Sequence, residues 1–322
     1  MTGVEIVAPV DLLVVGDCNP DVLVLGADVT PEFGQREKLV SGISLVVGGS
    51  AAITAVAAAR LGLRVALAAT IGADPAGDFM LGQLRTAGVD TSAVAVRPDL
   101  ATGMTVALAH GSDRAILTAT GAMTSLRADD VPADLVRTAR HVHVSSYFLL
   151  EQSLGPGLPA LLATAGAHGA TTSLDTNWDP AGRWGGELLR AVLAHTDVLL
   201  PNEEEAARLS GESALDAAIA SLTSAGPAVV VKLGGRGAMC ADGDGLRVIP
   251  APSRLEGAFV DAIGAGDCFN AGLIAGLLRG LDLPAAAALG CAVGSASTRA
   301  AGGTARAPDL PTALRLAGIV SR

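Results

Sequence analysis

The chain of 322 residues has few aromatics, at 2% Phe, Trp and Tyr, and little charge, at 17% Asp, Glu, Lys and Arg. Scarce aromatics leave few platforms on which nucleobases could stack. The charge that is present has the wrong sign for a phosphate backbone: 22 Lys and Arg face 32 Asp and Glu, a formal net charge of −10. No nucleic-acid partner is expected, because such binding rests on clustered cations. Cysteine is equally sparse. Cys18, Cys240, Cys268 and Cys291 form no CxxC pair and no zinc spacing, so they read as buried thiols of a reducing compartment. Long apolar runs are missing too, since Arg60, Asp282, Pro284 and scattered polar residues break every stretch that could reach the roughly 18 residues of a membrane span. The mean hydropathy of +0.48 therefore reflects alanine and valine in a core, and no membrane partner is expected. The opening MTGVEIVAPVDLLVVGD has no basic stretch and carries Glu5 and Asp11, unlike a signal peptide, so a cytoplasmic location is expected.

What the chain does have is apolar residues, at 50%, and 40 glycines, a composition for small-residue helices packed on a sheet. Short β-branched runs alternate with helix-length segments: DLLVVG from Asp11, a helix from Ser50 to about Leu61, RVALAATIG, a helix in AGDFMLGQLRTAG, then HVHVSS, ATTSLD, TDVLLPN and PAVVVKLG. Near-continuous apolar strands with intervening helices predict a mostly parallel sheet covered on both faces, a three-layer α/β/α fold. Two stretches break the rhythm. Residues 21–47 contain DVLVLG, EKLV and ISLVV with no helix between them, and residues 93–119 contain AVAVR, TGMTVALAH, the turn Gly111-Ser112-Asp113 and RAILTAT. Period-two alternation predicts hairpins that assemble into one small sheet, a β-sheet lid over a cleft. With no repeat and no low-complexity linker, residues 1–322 are expected to form a single domain carrying this lid.

The segment richest in chemistry is FVDAIGAGDCFNAGLIAGLLRGL, in which Asp261 precedes Gly264-Ala265-Gly266-Asp267 and a long helix. Small residues at a helix start leave backbone N–H groups bare, and the helix dipole favours an anion there. A carboxylate in the first turn would lie beside that anion. Phosphoryl transfer needs this pairing, a base for the attacking hydroxyl next to donors for the developing charge. The plainer alternative is a glycine-rich turn that Asp267 merely caps.

These residues, Asp261 to Asp267 followed by Cys-Phe-Asn-Ala-Gly, resemble the second signature of the ribokinase-like (PfkB) carbohydrate kinases. GGSAAITAVAAARLG from Gly48 resembles the first signature. IGADPAGDF, Thr102-Gly103, PNEEEA at 201–206 and KLGGRGA at 232–238 follow in the family's order over nearly the whole chain. The resemblance implies a ribokinase-like fold and ATP-dependent transfer of a phosphoryl group to an alcohol of a sugar-like molecule. It implies Asp267 as the catalytic base and the amides of Gly264, Ala265 and Gly266 as the anion hole. Asn202 and Glu205 match the N-x-x-E motif, whose Glu organises Mg²⁺ through water. Lys232, Gly234 and Gly237 fall in the turn lining the ATP pocket, and Asp261 matches a position beside a monovalent cation such as K⁺. Asn19 and Asp21 match the pair that grips acceptor hydroxyls, and Gly48 and Gly49 admit the acceptor to the backbone.

Physical reading supports parts of this separately. Asp21 follows a strand's carboxyl end, where ligands bind in open α/β sheets, and a carboxylate is a strong partner for a polyol's hydroxyls. PNEEEA also satisfies an ordinary helix start, an N-cap followed by acidic first-turn residues. Departures exist: Ile53 stands where the family usually has an Asn, which predicts an apolar wall to the acceptor pocket. Lys232 and Ala262 each stand where Thr is frequent. His141 and His143 share a strand face without a third metal ligand, so packing is the expected role. Asp175 and Asn177 are equally compatible with phosphate or Mg²⁺ contact and with an Asx turn. A nucleoside kinase would need an aromatic slot, for which Phe33, Tyr147 and Phe148 are the candidates. A non-catalytic ligand-binding regulator would not need Asp267. A dinucleotide dehydrogenase is excluded, because Gly16-Asp17-Cys18 and not GxGxxG follows the first strand. A homodimer formed through the lid is the expected assembly.

Overall fold

The computed structural model describes residues 10–110, 113–242 and 245–319; Gly111 and Ser112 of the expected turn lie outside them. The strands are β1 (Leu12–Val15), β2 (Asn19–Leu25), β3 (Gly42–Gly48), β4 (Val65–Gly72), β5 (Val94–Arg97), β6 (Met104–His110), β7 (Asp113–Ala119), β8 (His141–Val144), β9 (Thr171–Leu174), β10 (Val198–Leu199), β11 (Ala228–Lys232), β12 (Ala238–Asp242) and β13 (Gly245–Ile249). Among the described residues, nine of these form the main sheet in the order β13-β12-β11-β10-β9-β8-β1-β4-β5. It is parallel from β5 to β11, while β12 and β13 add an antiparallel edge. Every residue of β1, β4 and β8 is buried, as continuous apolar strands covered on both faces require. The cores on the two faces are separate. One centres on Val14, Leu67 and Phe269, the other on Leu13, Val142 and Leu162.

The helices that matter for the site are α1 (Ser50–Arg60), α2 (Pro75–Thr86), α3 (Glu203–Ser210), α4 (Ala265–Leu277) and α5 (Leu283–Ser297). The abundance of small residues has its clearest cause between α4 and α5. A Cβ at Gly272 would lie 2.8 Å from the Leu289 carbonyl oxygen, and one at Gly294 would lie 2.7 Å from that of Ala265. The two helices touch backbone to backbone, which seats the start of α4 firmly.

The second, four-stranded sheet has the order β3-β2-β6-β7, with β2 and β6 parallel and the outer pairs antiparallel. It differs from the sequence expectation in two ways. AVAVR became β5 and joined the main sheet beside β4, so the lid's second half is β6–β7 alone. EKLV forms no strand. Four residues alternating in polarity cannot specify which sheet they will pair with. The β12–β13 hairpin was not anticipated either. The lid's inner side packs Leu23 and Ala107 on Ile263, with Val46 and Ala301 alongside, so it rests on the loop that leads into α4.

Candidate active site

The elements converge where β1 ends. Asp17 follows β1 and accepts from the amides of Ser50, at 3.1 Å, and Ala51, at 2.9 Å, the first turn of α1. Burial pushes its carboxyl up from the usual range, although the Ala51 amide, the Ser146 hydroxyl and the Ser50 amide pull the other way. The lid strands start and finish here, because Asn19 at the head of β2 pairs with Gly48 at the tail of β3. Asn19 donates to Asp21 at 3.1 Å and to the Thr105 hydroxyl at 3.2 Å, and that hydroxyl lies 3.1 Å from Thr118. Asp21, Thr105 and Thr118 are cross-strand partners on one face, so the lid's inner side presents a row of oxygens. Gly49 has φ 78°, and a Cβ there would sit 2.9 Å from the Asp17 carbonyl. That backbone is reserved for glycine.

Gly264, at φ 70°, precedes α4, and Ala265, Gly266 and Asp267 are its first three residues. The amides of such a first turn have no intrahelical acceptor. Asp267 is buried among them, and burial pushes its carboxyl up to about 8, reinforced by the charges of Asp175 and Asp17 and opposed by Lys232 and the Ser50 hydroxyl. A carboxylate this destabilised as an anion is a strong base once ionised.

Asp175, at the end of β9, gathers the remaining groups. Its Oδ2 accepts from Lys232 Nζ at 2.5 Å and from Asn270 Nδ2 at 2.6 Å, and its Oδ1 from the Asn177 amide at 3.3 Å. Asn177 in turn donates to the Ser50 hydroxyl at 2.9 Å and accepts from the Ser146 amide at 2.8 Å. Ser146 and Asn177 both have positive φ, 58° and 55°. Left-handed non-glycine residues cost of order 1–3 kcal/mol each and gather where function needs them. An Asx turn, one of the two readings left open for Asp175, is present, and its other oxygen holds a cation and an amide.

Asn202 and Glu205 form a complete capping box on α3, Asn202 Oδ1 accepting from the Glu205 amide at 2.9 Å and Glu205 accepting from the Asn202 amide at 2.8 Å. The Glu205 carboxyl is buried and pushed up to about 7, by burial first and by Asp175 second, with Lys232 opposing. Among the described residues, no three of His, Cys, Asp and Glu converge as a protein metal cage would. Asp261 accepts from the amides of Ile263, at 2.8 Å, and Gly302, at 3.0 Å. Its observed work is to tie the loop before α4 to the segment after α5.

A cavity of about 350 Å³ adjoins the start of α4, lined by Lys232, Gly234, Gly237, Phe259, Ala265, Gly266 and further groups that include Arg299. Gly237 has φ 101°, and a Cβ there would meet the Ile249 carbonyl at 2.1 Å. The turn at 234–237 is thereby pinned against the end of β13.

Some expected residues stand elsewhere. Ile53 is 3% exposed, and its methyls would lie 3.1 Å from a Cβ placed on Gly264 and 3.0 Å from one on Gly303, so it packs against the glycines that lead into α4. Its place on the buried face of an almost wholly apolar helix was the overlooked signal. Tyr147 and Phe148 are buried, Phe148 stacking edge-on with both Tyr147 and Trp184, while Phe33 is 97% exposed between β2 and β3. None of the three lines an aromatic slot. Trp178, which follows Asn177 and is 50% exposed, was not anticipated. Nor were Asp17, Ser50 and Asn270, whose roles rest on contacts remote in sequence. His141 and His143 sit in a hydroxyl ladder, His141 between Thr171 at 2.6 Å and Ser173 at 2.7 Å, His143 between Ser173 at 2.7 Å and Ser145 at 2.9 Å. All four cysteines are buried and free. Among the described residues, no helix is long and apolar enough to cross a membrane.

The chain is similar in sequence and in fold to known proteins. The chain is 29% identical to a ribokinase of Haemophilus influenzae over 306 residues, 92% of this chain and 95% of that one. It is 30% identical to an ATP-dependent ribose-1-phosphate kinase of Halopiger xanaduensis over 320 residues, 97% and 98% of the two chains. It is 26% identical to a nucleoside kinase of Methanothermobacter thermautotrophicus over 310 residues, 95% and 94%. In fold it is similar to the ribokinase of Arabidopsis thaliana solved with ribose and ATP, with a TM-score of 0.78 at 22% identity over 98% of this chain and 100% of that one. The pfkB family carbohydrate kinase profile matches residues 10–310, and the chain belongs to that family.

Proposed function

We propose that this family member transfers the γ-phosphoryl group of ATP to a hydroxyl of a sugar or sugar-like acceptor. The observation that carries the reading is the position of Asp267, a buried carboxyl in the first turn of α4 beside the amides of Gly264–Gly266, next to a cavity of about 350 Å³. In this reading the acceptor's hydroxyls are gripped by Asn19 and Asp21 beneath the lid, and Asp267 takes the proton of the attacking hydroxyl. The amides of the α4 start hold the phosphoryl oxygens, and the base lies among Gly234, Gly237 and Phe259. Mg²⁺ would neutralise the phosphates, with Glu205 orienting its waters. A monovalent cation would belong to the Asp261 loop. The lid's inner face resting on Ile263 supports its closing over the acceptor, excluding water from the transfer.

The lid's other face supports a homodimer. Cross-strand register places Leu45, Val22, Val106 and Leu117 in one row and Ile43, Val24, Leu108 and Ala115 in the next, with Ile43 67% and Leu117 65% exposed. An apolar face of this kind is suited to a second copy of the chain.

The test is ATP-dependent ADP release with a panel of pentoses, hexoses, sugar acids, sugar phosphates, polyols and nucleosides. Activity on a sugar, abolished in Asp267→Asn, is the expected result. Activity on nucleosides alone would move the assignment toward the Methanothermobacter relative. ATP binding with no acceptor turned over would leave a ligand-binding regulator.

A further inference from the structure

Lys232 closes β11 and keeps 13% of its side chain exposed, in the wall of the cavity next to Gly266. Its ammonium would lie 3.6 Å from a Cβ placed on Gly266, so it stands against the bare amides at the start of α4. Burial alone would lower its pKa, but the carboxylates of Asp175, Glu205 and Asp267 outweigh burial and hold the amine charged. Among the described residues Asp175 is its side-chain partner, at 2.5 Å. That carboxylate is itself fixed by Asn270 Nδ2 at 2.6 Å and by the Asn177 amide at 3.3 Å. An ammonium carries three donors, and one is directed to Asp175. The other cation of the cavity wall, Arg299, is directed away, onto the Gly257 carbonyl.

We propose that Lys232 is a fixed phosphate ligand of the donor site, aimed by Asp175 and Asn270, which grips the terminal phosphates of the bound nucleoside triphosphate beside the Gly266 amide. Phosphates that reach the α4 amides come within reach of the ammonium, and a rigidly held charge there loses little freedom on binding. Asp175 is the positioning residue, acting through Lys232 and not on the nucleotide. The alternative is a buried ion pair that only balances charge inside the sheet.

This inference deepens the nucleotide assignment made above and rests on it. Titration calorimetry on the intact chain with ATP and with adenosine separates the two. Lys232→Met is expected to weaken ATP binding by about ten-fold or more, the usual scale for a lost charged hydrogen bond, while adenosine binding changes less than about two-fold. Because Lys232→Met leaves the buried Asp175 without its counter-charge and so risks unfolding, the charge-balanced pair Lys232→Met with Asp175→Asn is measured alongside. It should melt near the wild type and show the same selective loss. Asp175→Asn alone should show a smaller ATP loss of the same selectivity. Unchanged ATP affinity in the balanced variant, or an equal loss for adenosine, would overturn the proposal and leave Lys232 a packing charge. A wild type that binds no ATP would overturn the nucleotide assignment as well, so the two failures are told apart.

Discussion

Asp21 is packed flat onto Gly48: a Cβ at residue 48 would come within 1.9 Å of Asp21 Oδ1 and 2.1 Å of its Cγ. The glycine therefore makes room for the Asp21 carboxylate, the group proposed to grip the acceptor. Gly48→Ala should displace Asp21 and mimic Asp21→Ala, both raising the acceptor KM. The loss of a charge-assisted hydrogen bond, about 1.5–3 kcal/mol, corresponds to roughly ten- to 150-fold. The KM for ATP should stay constant in both. An effect on ATP with the acceptor untouched would mean that the two pockets have been exchanged.

Asp267→Asn should lower turnover by about two to four orders of magnitude, the usual worth of a positioned base. A variant that kept more than about a tenth of wild-type turnover would remove Asp267 from the mechanism. The same substitution should raise the melting temperature at neutral pH. The folded carboxyl titrates at about 8, against an ordinary 3.8. Between those values the unfolded chain has lost a proton that the folded chain keeps, so this group's contribution is full at low pH and declines as pH rises towards 8. Melting curves from pH 5 to pH 8 should fall for the wild type relative to Asp267→Asn. Parallel curves would show that the carboxyl is not perturbed.

The same titration bears on catalysis. The base must be ionised to accept a proton, so kcat/KM, which reports the free enzyme, should climb with pH towards a plateau above about 8. A profile flat down to pH 6 would mean that the essential base is an ordinary carboxylate or that chemistry is not limiting.

Much of this was legible in the sequence because the signals were local. Apolar strand runs, the glycine turn before Asp267 and the Asn202–Glu205 pair each act within a few residues, and each is present in the structure. What escaped notice depends on distant contacts. Asp175 reads as a turn residue until β11 brings Lys232 beside it and α4 brings Asn270. Period-two alternation marked AVAVR as a strand but could not say that its partner would be β4 rather than the lid.

Ile53 illustrates the same limit and gives a prediction that differs from the sequence expectation. Its methyls pack against Gly264 and Gly303 and are buried. Ile53→Asn should leave the ranking of acceptors unchanged and cost about 2–5 kcal/mol of stability, because it opens a cavity and buries an amide without partners. A new preference for a more hydroxylated acceptor with an unaltered melting temperature would return Ile53 to the pocket wall.

The lid's outer face yields the last prediction. Four strands about 4.8 Å apart and about seven residues long present a flat area on the order of 400 Å² per copy. The central two rows of that area are wholly apolar, from Leu45 across to Leu117 and from Ile43 across to Ala115. A monomer rarely exposes more than a few hundred Å² of contiguous apolar surface, yet two such faces together make only a small interface. A dimer that dissociates on dilution is therefore expected. Leu117 sits on an outer strand with 65% of its surface exposed, so Leu117→Glu should not disturb the fold of one copy. Light scattering across a dilution series should show the wild type passing from dimer to monomer and the variant remaining monomeric at every concentration. Because the opposite face of the same sheet carries Asp21 and Thr105, the variant should also bind the acceptor more weakly if pairing steadies the lid. A wild type that is monomeric throughout, or a dimer that Leu117→Glu leaves intact, would place the interface elsewhere.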